Sequence, residues 1–305
     1  MTKTRKSLFC LVAATFLFIT AFGGMGAVMT AKADAVPSMD VVDTYLRENG
    51  YSEDFIEGMG EQTKRHLYNE QASYCFSSVL APDYAPASTR STPPDDGAFD
   101  NFNHEITVST IDDDPTDIQY IVTYNFTWNS DVAANDYDLV ALAWNSEFTF
   151  IAPSAVYEVY GPGERYERDN QLIFVPVPES CPNKTFIYLT GSDAIFRGNQ
   201  QAGVANRLNL SQSQSYTLYY QSNAWGKYKV NRKNFCVAYS ITIAEPTINK
   251  KYNNVCGTVF HWLEDYEVTD FQITFELPLR LSFTSTIEDT SRYIQSGECY
   301  ETIIR

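Results

Sequence analysis

The chain has three histidines that could carry acid–base chemistry, His66, His104 and His261. His261 would act as a general base if a carboxylate lay beside its ring, although a core histidine held by one hydrogen bond is the simpler interpretation. His104 lacks the second histidine, four residues on, that a zinc-protease helix requires. Lys64 and Arg65 precede His66 on a charged helix, which indicates a solvated side chain. The histidines therefore predict no catalytic centre by themselves.

Carboxylates could supply the paired acid and base of a glycoside hydrolase. Glu264, Glu267 and Glu276 stand near aromatic residues, and sugar hydrolysis needs two such groups at a defined separation. Because 37 Asp and Glu follow residue 35, several acids near an aromatic residue are expected by chance. The sequence contains neither a Gly-x-Ser-x-Gly elbow nor a phosphate-binding glycine loop. A carbohydrate hydrolase stays open as an alternative function.

Metal ligation has one candidate, the four aspartates between positions 112 and 117. Oxygen-rich clusters suit calcium at extracellular concentrations, but the alternating ligands, glycine and distal glutamate of an EF-hand are missing. A solvated turn opened by Pro115 is the preferred interpretation. The spacing of the cysteines matches no zinc pattern. We therefore expect no metal site and no cofactor.

The stretch from Ser211 to Asn234 combines aromatic, amide and cationic side chains. Aromatic rings bury a large area at low entropic cost, which suits contact with a polysaccharide or a protein. Six of the 18 Lys and Arg after residue 35 fall between positions 227 and 251, so an anionic envelope polymer or the chain's own acidic N-terminal segment would be attracted. The predicted ligand-binding residues are Tyr219, Tyr220, Trp225, Lys227, Tyr228 and Lys229. The alternative is that this stretch forms the inward face of a strand, with Tyr216, Leu218 and Tyr220.

The charge of the chain excludes nucleic acid as a partner. The formal net charge is −16, and residues 36–138 alone hold 20 acids and 4 bases. Such a field repels a phosphate backbone. With 44% hydrophobic and 20% charged residues, the composition is that of a globular protein.

The first 35 residues have the pattern of a signal peptide. Lys3, Arg5 and Lys6 precede an uncharged run from Ser7 to Ala31, and a small-x-small cleavage site ends at Ala35. This pattern predicts a secreted, extracellular protein that meets the membrane only through its signal peptide. An uncleaved anchor is the alternative, because about 20 apolar residues span a bilayer.

Five cysteines follow the predicted signal peptide, an odd number for a secreted protein. Cys236 and Cys256 flank Pro246 almost symmetrically, which predicts a disulfide bond between neighbouring strands. The alternative is that several of the five are buried thiols that act as small apolar residues.

Residues 36–79 predict a small helical segment. Gly50 offers a C-terminal stop for the first helix, Ser52 can cap the second, and a third helix is expected over 61–72. The string Tyr-Leu-Arg-Glu-Asn-Gly-Tyr-Ser at 45–52, with the apolar residues that follow it, resembles a short helical module near the start of uncharacterised secreted Gram-positive bacterial proteins. The resemblance covers about 30 residues and implies relatedness without implying an activity.

The pattern changes twice after the helical segment. Proline, serine, threonine and aspartate dominate residues 80–102, which predicts a linker. Beyond it, apolar and polar residues alternate with the period of two that is typical of half-buried strands. Residues 118–128 show this alternation with one exception, Ile121. Residues 271–283 alternate as well, and because Pro278 cannot donate a ladder hydrogen bond, they predict an edge strand or two strands joined by a bulge.

The fold class follows from the length and order of these segments. Helical patterns of about 10 to 15 residues do not separate the strands, so a parallel sheet is disfavoured. The sequence therefore predicts a mainly β protein, an antiparallel β-sandwich over residues 103–305 preceded by the helical segment and the linker.

The leading functional hypothesis is a secreted, non-catalytic protein that binds an envelope or extracellular partner, either a polysaccharide or a protein. A secreted carbohydrate hydrolase that uses paired carboxylates is the first alternative. A membrane-acting β protein is the second, because long alternating strands can line a pore after assembly.

Overall fold

The structure is a computed structural model that describes most of the chain after residue 35. The described residues are 36–80, 97–100, 102–111, 118–128, 138–144, 148–151, 154–168, 174–199, 203–208, 216–221, 224–230, 235–245, 252–262, 271–276, 280–285, 293–296 and 299–304. The predicted signal peptide, most of the predicted linker and the aspartates at 112–117 lie outside them. All described helices and strands belong to the compact unit that begins at Met39. None of these helices is long and apolar enough to cross a membrane.

Three helices precede the strands in the described residues. The helices are α1 (Met39–Glu48), α2 (Glu53–Gly58) and α3 (Glu61–Asn69). The strands are β1 (Ser73–Leu80), β2 (Asn103–Thr110), β3 (Ile118–Trp128), β4 (Leu139–Trp144), β5 (Thr149–Phe150), β6 (Val156–Arg168), β7 (Phe174–Thr190), β8 (Arg197–Asn199), β9 (Gly203–Arg207), β10 (Tyr216–Gln221), β11 (Ala224–Val230), β12 (Phe235–Glu245), β13 (Tyr252–Trp262), β14 (Phe271–Glu276), β15 (Arg280–Ser285), β16 (Tyr293–Gln295) and β17 (Cys299–Ile304).

The strands form two large sheets and one small one. Sheet A has the order β1-β2-β3-β12-β6-β11-β10, with β5 also paired to β12 and β7 to β6. Sheet B has the order β16-β13-β4-β9-β8, with β17 also paired to β13, and β14 pairs with β15 in a sheet of their own. Neighbouring strands in the described residues pair antiparallel, for example β3 with β12 and β4 with β13. This confirms the predicted fold class of a mainly β protein with antiparallel sheets and N-terminal helices.

Sheets A and B pack face to face around an apolar core. Every second residue of β3 and β12 enters this core, which buries Tyr120, Val122, Tyr124, Phe126, Trp128, Phe235, Val237, Tyr239, Ile241 and Ile243. Sheet B contributes Val140, Leu142, Val204, Val255 and Val259. The sheets approach closely at Gly257, since a Cβ atom there would overlap the Tyr124 ring. Burial of these faces, at about 25 cal/mol per Å² of apolar surface, is the main force that holds the sandwich together.

The opposite face of sheet A is covered by the three helices. Ile121, Tyr160 and Ala238 form a second core with apolar residues of the helices, among them Val42, Leu46, Phe55, Ile56 and Leu67. This second core explains why Ile121 breaks the alternation of its strand. Around that position β3 has apolar residues on both faces, because one face packs against sheet B and the other against the helices.

The helix boundaries follow local signals at the start of the segment. Gly50 takes a φ of +91° after α1, and the Ser52 hydroxyl accepts the Phe55 N–H at 3.2 Å as the cap of α2. Both confirm the sequence prediction. The third helix ends at Asn69 rather than Ala72, and Gln71 follows with a left-handed φ of 54°.

Residues from Ser73 onward, inside the segment predicted as helical, form strand β1. The strand pairs with β2, with Ser73 opposite Thr110 and Leu80 opposite His104. Its partner lies more than 20 residues further along the chain, so no local pattern shows the pairing. The division into helical segment, linker and sandwich stays a prediction, because 81–96 lie outside the described residues.

A buried carboxylate of sheet A caps helix α3. The N-cap residue, Gly60, has no side chain to satisfy the free N–H groups of the first turn. The fully buried Glu158 of β6 takes that role, accepting hydrogen bonds from the Gln62 N–H at 3.1 Å and the Thr63 N–H at 2.8 Å. It also accepts from the hydroxyls of Thr63 at 2.7 Å and Thr185 at 2.6 Å. The negative charge lies at the positive end of the helix dipole, which stabilises both partners.

Two tyrosines add further polar contacts between the helices and sheet A. The Tyr160 hydroxyl donates to the Gly58 carbonyl at 2.8 Å, and the Tyr51 hydroxyl donates to Ser109 Oγ at 2.7 Å. Asn183 Nδ2 donates to the backbone carbonyl of Glu57 at 2.6 Å. The helices are therefore held to the sheet by directional bonds as well as by apolar burial.

Residues 271–283 reverse direction instead of continuing as one strand. β14 ends at Glu276 and pairs with β15 as a hairpin, with Glu276 opposite Arg280. Residues 277–279 lie outside the described residues, and Pro278 is among them. The run is therefore two strands, as the second alternative has it, but the strands pair with each other instead of continuing in line. The proline that cannot extend the ladder sits between two strands that pair with each other.

We expect Gly60→Ala to destabilise the protein by about 1 to 3 kcal/mol, because overpacking forces its neighbours apart. A Cβ atom at residue 60 would lie 2.5 Å from the Glu158 carboxylate carbon. Urea unfolding followed by tryptophan fluorescence measures the change. Gly58→Ala is the matched control, since a Cβ there meets nothing within 4 Å. Equal stability of the two variants would contradict the capping role of Glu158.

Candidate functional site

The residues predicted to bind a ligand lie on β10 and β11, at the end of sheet A. β10 pairs with β11 along its whole length, beginning with Tyr216 opposite Lys229. β11 also pairs with residues Gly163–Glu167 of β6. β12 pairs with the preceding part of β6, Val156–Tyr160, so β11 takes the place of β12 along the second half of that strand.

The register divides the six predicted residues between two faces. Tyr220 is opposite Trp225, and Lys227 and Lys229 follow Trp225 at intervals of two. Successive residues of a strand belong to opposite faces, so these four share one face. Tyr219 and Tyr228 belong to the other. We call the first surface the Trp225 face, defined by Tyr216, Leu218, Tyr220, Trp225, Lys227 and Lys229.

Of the lysine positions of the Trp225 face, Lys229 lies between an aromatic and an acidic position, and Lys227 lies between Leu218 and an aromatic position. Lys229 is opposite Tyr216 on β10 and Glu164 on β6, and Lys227 is opposite Tyr166 on β6. Directly opposed residues are close enough to interact across a sheet. The register therefore places aromatic and cationic positions side by side on one face of the sheet. The six residues stay a prediction as ligand contacts, and Tyr216, Leu218 and Tyr220 share one face, as the strand interpretation requires.

The predicted disulfide bond between Cys236 and Cys256 is absent, because the two residues lie in different sheets. Cys236 is on β12 of sheet A and packs against the core formed with the helices. Cys256 is on β13 of sheet B and is fully buried. Their sulfur atoms are not bonded to each other. Symmetric spacing about Pro246 was misleading, since β12 and β13 are consecutive strands that do not pair.

His261 forms a buried pair with Asp138. Its Nδ1 lies 2.9 Å from Oδ2 and 3.0 Å from Oδ1 of that carboxylate. The side chains are 3% and 0% exposed, and the ring packs edge-on against Trp128 and Phe99 at 5.7 and 6.4 Å between centroids. A general base needs access to its substrate, so the sealed pair has a structural role. It joins β13 to the residue that precedes β4.

His104 is a second histidine of the core. Its Nδ1 lies 2.8 Å from the Tyr124 hydroxyl, and its side chain packs beside Phe102. Loss of hydration lowers the pKa of His104 to about 4. The imidazole is therefore neutral at physiological pH.

His66 is half-buried rather than solvated, which corrects the sequence expectation. Burial lowers its pKa to about 4, and its Nε2 has no hydrogen-bond partner among the described residues. The charged neighbours in the sequence were misleading because α3 packs against β6 and β7. Lys64 and Arg65 pair instead with Asp43 at 2.8 Å and Glu61 at 3.0 Å.

The carboxylates considered for sugar hydrolysis do not form a described site. Glu276 ends β14 opposite Arg280, and Glu264 and Glu267 lie outside the described residues. The separation on which retaining and inverting hydrolases depend is therefore not defined by the described residues.

A shallow groove on the helices is a surface that sequence reasoning missed. It has a volume of about 440 Å³ and is lined by Asp40, Val41, Thr44, Tyr45, Glu48 and Tyr68. The rings of Tyr45 and Tyr68 meet edge to face at 5.1 Å. Val41 is 49% exposed in the groove. The spacing of Val41, Tyr45 and Glu48 on one helical face was the available signal.

Comparison with known proteins gives no family. No protein-family model matches the chain, and no curated protein matches it. Among solved structures, it is similar to a collagen-binding domain from a Staphylococcus aureus adhesin, with 8% identity over 61% of this chain and 88% of that one and a TM-score of 0.25. It is also similar to the Clostridium perfringens NetB toxin in its membrane-inserted form, with 9% identity over 74% and 94% of the chains and a TM-score of 0.26. Likenesses this low carry no argument about function.

We expect the protein to lose stability as the pH falls from about 6.5 towards 4, in part through His66 and His104. His66 and His104 have folded-state pKa values of about 4, so below pH 6.5 the unfolded chain binds protons that the folded chain does not. Each histidine then costs about 1.4 kcal/mol per pH unit. Urea unfolding at pH 7.5, 5.5 and 4.5 measures this dependence. His104→Gln should flatten it, and an unchanged slope would contradict the burial of a neutral His104.

Proposed function

We propose that this protein is a secreted binding protein whose Trp225 face contacts an anionic polysaccharide of the cell envelope. The observation that carries the proposal is the register of β10 and β11. It aligns two aromatic positions, Tyr220 and Trp225, with Lys227 and Lys229 on one side of the sheet.

Each residue type on this face suits one part of such a polymer. Aromatic rings stack on the apolar faces of sugar rings, and lysines neutralise acidic groups along the chain. A flat β surface presents these groups in rows about 4.8 Å apart, and it contacts an extended polymer at several points. Binding would therefore depend on both aromatic and cationic residues, and its cationic part would weaken with salt.

The charge distribution supports an anionic partner at this place. The chain as a whole has a net charge of −16, yet 6 of its bases fall between positions 227 and 251. Lys227 and Lys229 of this group belong to the Trp225 face, and the other four bases lie outside the described residues. Long-range charge would then orient the protein on its partner.

The first 35 residues support the proposal that the protein is secreted. A charged start at Lys3, an apolar run and a small-residue site ending at Ala35 are features of exported proteins. The resemblance of residues 45–52 to a module of secreted Gram-positive proteins supports a Gram-positive envelope as the setting.

We expect Trp225→Ala to weaken binding to a purified anionic wall polysaccharide by about tenfold, the usual effect of removing an aromatic anchor. Lys227→Gln should weaken binding and reduce its dependence on salt concentration. Sedimentation or surface plasmon resonance at two salt concentrations measures both effects, with a neutral wall polysaccharide as the comparison polymer.

Tyr228→Ala is the matched control, because Tyr228 belongs to the opposite face of the same strand. It should bind as the unsubstituted protein does. If Trp225→Ala and Tyr228→Ala bind equally well, or if neither polymer is bound by the unsubstituted protein, the proposal is wrong.

A further inference from the structure

The outer face of sheet B, which is turned away from sheet A, is buried along β4 and β13. On β13, Val255 and Val259 enter the core between the sheets, so by alternation Cys256, Thr258 and Phe260 belong to the outer face. The outer-face residues of β4 and β13 are at most 1% exposed: Leu139, Ala141, Ala143, Cys256, Thr258 and Phe260. A sheet face this apolar and this inaccessible is covered by a further layer.

Between β13 and β16 the chain leaves sheet B and comes back to it at a neighbouring position. It leaves β13 at Trp262 and re-enters at the start of β16 with Tyr293, and these two residues are register partners. The excursion therefore leaves and re-enters the sheet at two adjacent positions. This excursion carries β14 and β15, which form their own two-stranded sheet.

The register of β14 with β15 gives this ribbon one apolar face and one polar face. Paired residues share a face, so the apolar face holds Phe271, Ile273, Phe275, Leu281 and Phe283. The other face holds Gln272, Thr274, Glu276, Arg280, Ser282 and Thr284. An isolated two-stranded ribbon is marginally stable in water, so its apolar face needs a surface to cover.

The ribbon lies close to sheet B without joining it. Cα atoms of β14 come within 8 Å of Cα atoms of β9, and yet the two strands belong to different sheets. Stacked sheets are usually about 10 Å apart, and smaller side chains permit a closer approach. Gly203 and Ala205 of β9 supply such small residues, opposite Ala143 and Ala141 of β4.

We propose that the apolar face of the β14–β15 ribbon covers the outer face of sheet B as a separable strap. The strap is the occupant of this docking surface, and the pair Trp262 and Tyr293 is its hinge. Because β13 and β16 are already paired at the hinge, the strap can leave its surface without breaking the sandwich.

Cys256 reports on the strap, because its thiol lies on the covered face. In the purified protein under native conditions, Ile273→Asp puts a charge on the apolar face of the ribbon. We expect it to raise the rate at which N-ethylmaleimide modifies Cys256 by roughly tenfold or more, as local opening becomes frequent. Peptide mass spectrometry assigns the modified cysteine. Thr274→Asp is the matched control on the polar face of the same strand, and its rate should stay that of the unsubstituted protein.

Cys299 separates opening of the strap from unfolding of the sandwich. It is fully buried in the core between the sheets and should stay unmodified in both variants. If Cys256 is no more reactive in Ile273→Asp than in Thr274→Asp, another segment covers the face and the proposal is overturned.

A deletion decides the case in which Ile273→Asp unfolds the whole protein and exposes both thiols. Residues 263–292 are replaced by Asn-Gly, which closes β13 onto β16 as a two-residue hairpin. We expect a folded protein with a reactive Cys256 and a protected Cys299. A deletion variant that fails to fold, or one in which Cys256 stays protected, overturns the proposal of a separable cover. None of these outcomes depends on polysaccharide binding.

Discussion

The buried carboxylate of Glu158 is the contact on which the arrangement of helices and sheet depends. It is a charge without exposure to water, and four donors from α3 and β7 compensate for the lost hydration. Helix α3 in turn depends on the carboxylate for its N-terminal hydrogen bonds, because Gly60 has no side chain that could cap the helix. The requirement is reciprocal: a side chain at residue 60 would occupy the space of the carboxylate. If the helices left the sheet, the carboxylate and the first turn of α3 would lose these hydrogen bonds to each other.

Strand β6 connects this contact to the candidate binding face. Its first half, from Val156 to Tyr160, pairs with β12 and carries Glu158 beneath the helices. Its second half, from Gly163 to Glu167, pairs with β11. The same strand is therefore buried in the sandwich at one end and supports β10 and β11 at the other. A ligand face built on a strand that is fixed in the core is better positioned than one built on a loop.

Layering explains the irregularities of the hydrophobic pattern. A two-layer sandwich would need only one apolar face on each strand, and β3 would alternate without exception. Helices cover the outer face of sheet A, so Ile121 and Ala238 are apolar there, while Thr123 and Ser240 bond to each other at 2.8 Å on the same face. The outer face of sheet B is also buried. Sheet A thus lies between sheet B and the helices, as its apolar residues on two faces require.

The sequence by itself determined the features that depend on residues near one another in the chain. The alternation of residues 118–128 predicted β3 with its bounds, and Gly50 and Ser52 marked two helix ends through their own backbone and hydroxyl chemistry. The aromatic and cationic stretch was also visible, but its division into two faces needed the register of β10 with β11. Partners distant in sequence decided the rest: the strand at 73–80, the hairpin within 271–285, the separation of Cys236 from Cys256 and the cap supplied by Glu158. Hydrophobic periodicity indicates which face of a strand is buried, whereas the strand with which it pairs depends on packing over the whole chain.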